Sequence, residues 1–303
     1  MKKFNIKKIL IPLDFSETAL LALEHGAYMA SLFKADIILL HVIRPNFSMY
    51  SAERMQMPVD IMKYQEESAS QQLYEAVQKI RDAYAVKVET LYETGFVCST
   101  IISVADRYQA DLIIMGTHGV SGFTERFIGS NAYRVVNESN CPVITIQTHT
   151  NQIGFKDIVL PIDHSLHSSQ KINHAVFLAE RYSATIHILG LSHTEDKKEL
   201  NKLKIKLDQI EEFMDKHGIA NDKKTDIGAN YAKLTINFGE QIGADLIIIM
   251  TEWDENITGL FIGPFARQIV NHSKIPVMSI RPEVKSESEL AESGMLWKEV
   301  SQF

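Results

Sequence analysis

Four small residues between positions 116 and 130 have types and a spacing suited to binding a phosphate group. Gly116 and Gly119 follow a short apolar run, and Gly129 and Ser130 precede a stretch whose apolar residues recur at helical spacing. Glycine lets the backbone approach an anion closely, and a helix N-terminus offers free N–H groups and a positive dipole end. Ser130 could cap that helix or donate its hydroxyl to a phosphate oxygen. Any one glycine here could simply form a turn, but the set, lying between a strand and a helix, favours phosphate binding.

These residues match Gly-x-x-Gly-x9-Gly-Ser without a gap, and that pattern is the ATP-binding signature of the universal stress protein family. The chain therefore resembles this family, over roughly residues 7–281. Neither of the two common phosphate loops, Gly-x4-Gly-Lys-Ser/Thr and Gly-x-Gly-x-x-Gly, is present. The resemblance implies an adenine nucleotide as the ligand, ATP or else AMP or ADP, with Mg as an optional companion of the phosphates.

The resemblance also implies contacts outside the glycine motif. Asp14 lies where family members contact the nucleoside, and a carboxylate there can accept hydrogen bonds from ribose hydroxyls or the adenine amine. From the sequence alone, a helix-cap or turn aspartate is an equally good interpretation. Val42 matches a position that packs on adenine, which is compatible with a core strand valine. The nucleotide contacts expected in this way are Pro12, Leu13, Asp14, Val42, Met115, Gly116, Thr117, His118, Gly119, Gly129, Ser130, Asn131 and Ala132.

Short apolar segments alternate with helical patterns along the first half of the chain. Strands are predicted at residues 8–13, 36–42, 86–91, 112–115 and 143–147. This alternation predicts an α/β fold with a parallel sheet. The family resemblance adds the detail of a doubly wound, Rossmann-like domain with strand order 3-2-1-4-5. In that order strands one and four are neighbours, so Asp14 and Gly116 would face one crevice at the carboxyl ends of the strands.

The pattern then starts again. KKILIPLDFS at Lys7 matches KDIVLPIDHS at Lys156, which aligns Asp14 with Asp163. A period this long indicates tandem domains rather than a solenoid. We therefore expect two five-stranded domains, at residues 1–148 and 154–282, followed by a C-terminal tail at 283–303.

The second copy has lost most of the glycine motif. At the positions equivalent to the first two glycines and the serine, it has Met250, Trp253 and Pro264. A proline lacks the N–H that a phosphate would need, and an indole would occupy the place of bare backbone. Three acidic residues add negative charge in the same segment: Glu252, Asp254 and Glu255. We predict that the first copy binds nucleotide and that the second, with its degenerate motif, does not bind it in the family's way.

Composition excludes several classes of function. A formal net charge of −7 argues against nucleic-acid binding through a basic face. The sequence has no run of about 18 apolar residues, so no membrane span is predicted. The apolar run near the start is too short for a signal peptide. Cys98 and Cys141 lack metal-site spacing and are expected to be buried filler in a reducing cytoplasm. No metal site is predicted.

The function expected from the motif and the resemblance is that of an adenine-nucleotide-binding stress-response or signalling protein. The sequence has no Walker-type lysine, no paired carboxylates at strand ends for magnesium and no evident general base, so no catalytic residue is predicted. Two alternatives stay open, a slow ATPase and a ligand-independent interaction scaffold.

The resemblance also implies how the copies associate. Family members usually dimerise through the last strand of the sheet. By that analogy the two copies should pair within one chain, through residues 143–147 and 277–280. A homodimer of chains is a further alternative, and neither nucleic acid nor membrane is expected as a partner.

Overall fold

A computed structural model of the 303-residue chain describes residues 4–44, 59–117, 129–147, 150, 152–165, 167–251 and 263–282. Strands and helices alternate, as predicted. The first half contains β1 (Lys8–Pro12), α1 (Glu17–Phe33), β2 (Asp36–Ile43), α2 (Val59–Ala83), β3 (Val88–Thr94), α3 (Val97–Tyr108), β4 (Leu112–Gly116), α4 (Ser130–Glu138) and β5 (Val143–Ile146).

The second half repeats this order. It contains β6 (Asp157–Ile162), α5 (Ile172–Tyr182), β7 (Thr185–Ser192), α6 (Lys197–Lys216), β8 (Asn221–Ile227), α7 (Tyr231–Ile242), β9 (Leu246–Met250), α8 (Pro264–His272) and β10 (Val277–Ile280). A short 3-10 turn at His167–Ser169 lies between β6 and α5 and has no described counterpart in the first half.

The strands form one sheet in the order β3-β2-β1-β4-β5-β10-β9-β6-β7-β8. Within each half the pairs are parallel and the order is 3-2-1-4-5, so the predicted fold class is confirmed. β1 lies between β2 and β4, with Ile9 opposite both Ile37 and Leu112. This arrangement brings the carboxyl ends of β1 and β4, and the loops that follow them, to the same edge of the sheet.

The halves meet at the last strand of each. β5 and β10 are antiparallel neighbours, with Val277 opposite Thr145 and Met278 opposite Ile144. The Thr145 hydroxyl donates to the Val277 carbonyl at 3.3 Å. All four residues of each of these strands are buried, as expected for strands at the centre of a sheet that is covered on both faces.

One strand of the first half differs from its prediction by more than one residue. β3 spans Val88–Thr94, two residues later at its start and three later at its end than predicted. The Val86 N–H donates to the Tyr84 carbonyl at 2.9 Å, which leaves Val86 in the turn after α2. β3 is an outer strand with several exposed residues, so its apolar pattern does not mark its ends.

Two layers of buried side chains cover the faces of the sheet. One layer joins α1 and α5 and continues from the first half into the second, and the other contains residues of α3, α4, α7 and α8. In the first layer, His25 of α1 stacks on Phe155 of the second half, with ring centroids 5.5 Å apart. The halves therefore share packed side chains as well as a sheet.

The structure describes both cysteines. Cys98 is buried, Cys141 is partly buried, and neither forms a disulfide. Burial, the largest cause, raises the pKa of each thiol to about 11. Among the described residues there is no group of histidine, cysteine and acidic side chains placed to hold a metal ion. No helix in the described ranges is both long enough and apolar enough to cross a bilayer.

Candidate functional site

The candidate site lies at the carboxyl ends of β1 and β4, where the winding of the first half reverses. β1 is paired with β2 on one side and with β4 on the other, so chain leaving β1 and β4 emerges on either side of a crevice. Such a reversal point is where open α/β sheets bind their ligands. Asp14 follows β1 here, and Gly116 ends β4.

Asp14 holds the turn that connects β1 to α1. Its Oδ1 accepts a hydrogen bond from the Ser16 N–H at 3.1 Å and from the Ser16 hydroxyl at 2.6 Å. Ser16 is in turn the N-cap of α1 and accepts from the Ala19 N–H. The turn role and the nucleoside role are compatible. Oδ1 serves the turn, and Asp14 Oδ2 makes no hydrogen bond to any other residue that the structure describes.

Two residues that were not predicted shape the same turn. Phe15 has φ of 63°, a left-handed conformation that is uncommon for a non-glycine residue and frequent at functional sites. Its ring packs on His41 of β2, with centroids 4.8 Å apart. The His41 Nδ1–H donates to the Leu13 carbonyl at 2.7 Å, which ties the end of β1 to β2. Neither the ring contact nor the hydrogen bond has a sequence signal, because both contacts join segments that are distant in the sequence.

Gly116 has a packing role in addition to the predicted one. A Cβ at this position would lie 2.8 Å from the backbone carbon of Thr18 and 2.9 Å from the backbone nitrogen of Ala19. The start of α1 therefore passes directly against the end of β4. The need for glycine comes from this packing, whether or not a phosphate also approaches the backbone here.

Thr117 and Gly129 close the other side of the loop. The Gly129 N–H donates to the Thr117 carbonyl at 2.7 Å, and a Cβ on Gly129 would meet that oxygen at 2.9 Å. The Thr117 hydroxyl donates to the Ile146 carbonyl and to Gln147 Oε1, and the residue is 1% exposed. The Thr117 side chain therefore bonds within the chain, and the expected contact between Thr117 and the nucleotide stays a prediction. The Gly129 N–H already donates to the Thr117 carbonyl, so it is not available to a phosphate oxygen.

The start of α4 offers the remaining donors. Its N-cap is Gly129, so of the two roles considered for Ser130, that of helix cap is wrong. Ser130 is the first helical residue and is exposed, which leaves its hydroxyl in solvent. The Tyr133 N–H is the first to donate to a carbonyl at the helix start, that of Gly129 at 3.0 Å. The amides of Ser130, Asn131 and Ala132 precede it and belong to the turn that has no intrahelical acceptor.

The other predicted contacts that the structure describes differ in their burial. Leu13 and Met115 are buried in the core, whereas Pro12 and Val42 are partly exposed near the ends of β1 and β2. His118 and Gly119 lie outside the described residues, as do Trp253 and the three acidic residues of the second copy.

The equivalent edge of the second half keeps the aspartate turn and changes the rest. Asp163 Oδ1 accepts from the Ser165 N–H and hydroxyl at 3.0 and 2.7 Å, as Asp14 does from Ser16. Met250 ends β9 where Gly116 ends β4, and Pro264 is the first residue of α8.

Comparisons with known proteins agree with this architecture. The model of the universal stress protein family matches residues 5–147 and again 154–281. Universal stress protein MJ0577 of Methanocaldococcus jannaschii is 33% identical over 156 residues, covering 46% of this chain and 94% of that protein. A universal stress protein of Mycolicibacterium smegmatis is 22% identical over 292 residues, or 90% of this chain and 97% of its own length.

The fold of the whole chain is also found among solved structures. The crystal structure of a universal stress protein from Archaeoglobus fulgidus matches 93% of this chain and 99% of its own, with a TM-score of 0.72 and 22% sequence identity. Its likeness concerns the fold. Together with the two matches of the family model, these findings show that the chain belongs to the universal stress protein family and carries the family's domain twice.

Proposed function

We propose that the first domain binds an adenine nucleotide, with the phosphates at the start of α4 and the nucleoside beside Asp14. The observation that carries this proposal is the placement of two complementary groups at one edge of the sheet. The first-turn amides of α4 and the Ser130 hydroxyl can donate to phosphate oxygens. The free oxygen of Asp14 can accept from a ribose hydroxyl or an amine.

The second domain is proposed not to bind nucleotide in this way. Pro264 stands at the first position of α8, where it supplies neither an N–H nor a hydroxyl. The domain boundaries proposed are residues 1–148 and 154–282, with 283–303 as a tail. The pairing of β5 with β10 supports the proposal that the two domains act as one unit. Membership of the universal stress protein family supports the proposal of a stress-response or signalling role in the cytoplasm.

Isothermal titration calorimetry with ATP and with AMP, each with and without Mg, tests this proposal. We expect one nucleotide site per chain. Asp14→Asn should weaken binding by about tenfold or more, because a hydrogen bond to a charged group is lost. The asparagine oxygen can still accept from Ser16, so the turn should persist.

Asp163→Asn is the matched control, since Asp163 makes the same turn in the second domain. It should leave the affinity for ATP unchanged. Two equal sites per chain, or an equal loss in the two variants, would contradict binding in the first domain alone. An absence of any nucleotide binding would favour the ligand-independent scaffold. Release of ADP during the titration would indicate the slow ATPase.

A further inference from the structure

The second domain contains a cavity of about 270 Å³ at the carboxyl ends of β6 and β9. Its apolar wall includes Leu191, Met250 and Phe265, and its polar wall includes Asp163 and Lys171. The remaining described residues that line it are Pro161, Ser165, His167, Ser168, Tyr231, Thr251 and Pro282.

The cavity coincides with a change in how the first helix of the domain begins. In the first domain, α1 starts at Glu17, three residues after Asp14, and passes against the backbone at Gly116. In the second domain the chain makes a 3-10 turn after Asp163, and α5 starts only at Ile172. A methionine at position 250 cannot allow the approach that Gly116 allows, so the early helical turns are replaced by space that Met250 partly lines.

Two buried lysines stand beside this space. Lys206 of α6 is 5% exposed and its ammonium donates to three acceptors: the carbonyls of Asp163 and Ser165, at 2.8 and 2.7 Å, and the Ser168 hydroxyl at 2.8 Å. Lys171 is 2% exposed, and the Ser168 carbonyl, at 2.8 Å, is the only hydrogen-bond acceptor of its ammonium among the described residues. An ammonium has three N–H donors, so Lys171 keeps capacity for a ligand.

Among the described residues, the buried cationic groups of this cluster outnumber the buried carboxylates. When both are protonated, Lys171 and Lys206 carry two positive charges, and Asp163 is the one carboxylate that acts on both among the residues that the structure describes. Burial lowers the pKa of Lys171 to about 7 and that of Lys206 to about 8, although Asp163 acts in the opposite direction. Buried charges are normally paired. A single additional negative charge would complete this cluster, whereas a second one would be repelled by Asp163.

We propose that this cavity binds a small monocarboxylate that carries an apolar portion. The carboxylate accepts hydrogen bonds from the Lys171 ammonium, and the apolar portion packs on Leu191, Met250 and Phe265. The volume lies just below the range of about 300 to 1,000 Å³ typical of pockets for larger ligands, which matches an occupant the size of benzoate. The site is separate from the nucleotide site proposed in the first domain and does not depend on it.

Titration calorimetry of the full chain with benzoate at pH 7 tests the proposal. We expect saturable binding of one benzoate per chain. Benzamide, which has the same shape without the charge, and inorganic phosphate, which has the charge without an apolar portion, should each bind at least about tenfold more weakly. Absence of benzoate binding, or equal binding of benzamide, would overturn the proposal.

Variants locate the binding. Lys171→Met should weaken benzoate binding by about tenfold or more, while Lys202→Met, which removes an exposed lysine of α6, should leave it unchanged. Leu191→Phe fills the cavity and retains the cation, and it should also abolish binding. Thermal melting of each variant checks that it is folded. Retention of binding in both Lys171→Met and Leu191→Phe would place benzoate elsewhere and refute the assignment.

Proton uptake provides a separate measurement. A bound carboxylate favours the charged form of Lys171, so binding at pH 8 should take up protons, seen as a dependence of the heat on the ionisation enthalpy of the buffer. In the part of the chain that the structure describes, the other titratable groups around Lys171 are Asp163, Lys206, His167 and Tyr231. Above pH 7 the affinity should fall by up to about tenfold per pH unit, and an affinity that is constant from pH 6 to 9 would contradict a carboxylate held by Lys171.

Discussion

Ser130 and Pro264 occupy equivalent places in the two domains. Each is the first residue of a nine-residue helix, and each follows a glycine N-cap with an extended backbone, at φ −59° and ψ 144° for Gly129 and φ −65° and ψ 164° for Gly263. Proline at the first helical position costs little, because the N–H there has no intrahelical partner. The same fold therefore accepts either residue at this position, and only Ser130 has an N–H and a hydroxyl to donate.

This equivalence leads to the first prediction, for Ser130→Pro. The variant should retain the stability of the wild-type protein to within about 1 kcal/mol, because Gly129 already has the extended backbone that precedes a proline. It should weaken ATP binding by about tenfold or more, since one amide and one hydroxyl are lost as donors. Calorimetry and urea unfolding measure the two effects. Pro264→Ser is the control and should not change ATP affinity. Undiminished binding by Ser130→Pro would place the phosphates elsewhere.

The second prediction concerns Gly116→Ala. The added methyl group would lie 2.8 to 2.9 Å from backbone atoms of Thr18 and Ala19, which cannot move without shifting the start of α1. We expect a loss of about 1 to 3 kcal/mol in the free energy of unfolding, measured by urea denaturation. At Gly228 the nearest atom to an added methyl would be the Cδ1 of Leu234, at 3.3 Å. Gly228→Ala should therefore be nearly neutral. If Gly116→Ala is nearly neutral as well, α1 is not tightly packed on β4.

The third prediction concerns Lys206→Met. Methionine approximates the shape of the lysine stem but cannot donate to the acceptors of Asp163, Ser165 and Ser168. Leaving these buried acceptors without a donor should lower the free energy of unfolding by about 2 to 4 kcal/mol. Lys204→Met, at an exposed lysine of the same helix, provides the comparison. A neutral result for Lys206→Met would mean that relief from burying the ammonium offsets the lost hydrogen bonds.

The fourth prediction concerns His25 and acid. Burial lowers its pKa to about 4, and neither ring nitrogen has a hydrogen-bond partner among the described residues. Below pH 6.5 the unfolded chain takes up a proton that the folded chain does not, so stability falls with pH until the folded pKa is reached. The loss attributable to His25 between pH 6.5 and 4 is about 3 kcal/mol. His25→Leu should remove that part of the pH dependence.

Unfolding measurements at several pH values in this range test the prediction by difference. Burial raises the pKa of Asp245 to about 6, which acts in the opposite direction, so the variant must be compared with the wild type at each pH. His193→Gln, at an exposed histidine, should follow the wild type. If His25→Leu also follows the wild type, the folded protein protonates His25 as readily as the unfolded chain does.

Much of the architecture was predictable because it depends on local patterns. Alternating apolar segments and helical periodicities indicated the order of elements, and the duplication of KKILIPLDFS indicated two domains. The 3-2-1-4-5 order came from the family resemblance and is confirmed. The start of α4 next to Gly129-Ser130 was also predictable, because helix starts depend on a few adjacent residues.

Only the tertiary structure shows why particular residues are needed at their positions and what their side chains contact. The sequence by itself determined that Gly116 is a glycine before a loop, but the contact with Thr18, 98 positions earlier, explains why it must be one. The hydrogen bond from the Thr117 hydroxyl to the Ile146 carbonyl of β5 could not be predicted from the sequence, and the Lys171 cavity had no sequence signal. These outcomes depend on how closely distant segments approach. Such distances follow from the packing of whole helices and strands, which a pattern of neighbouring residues does not contain.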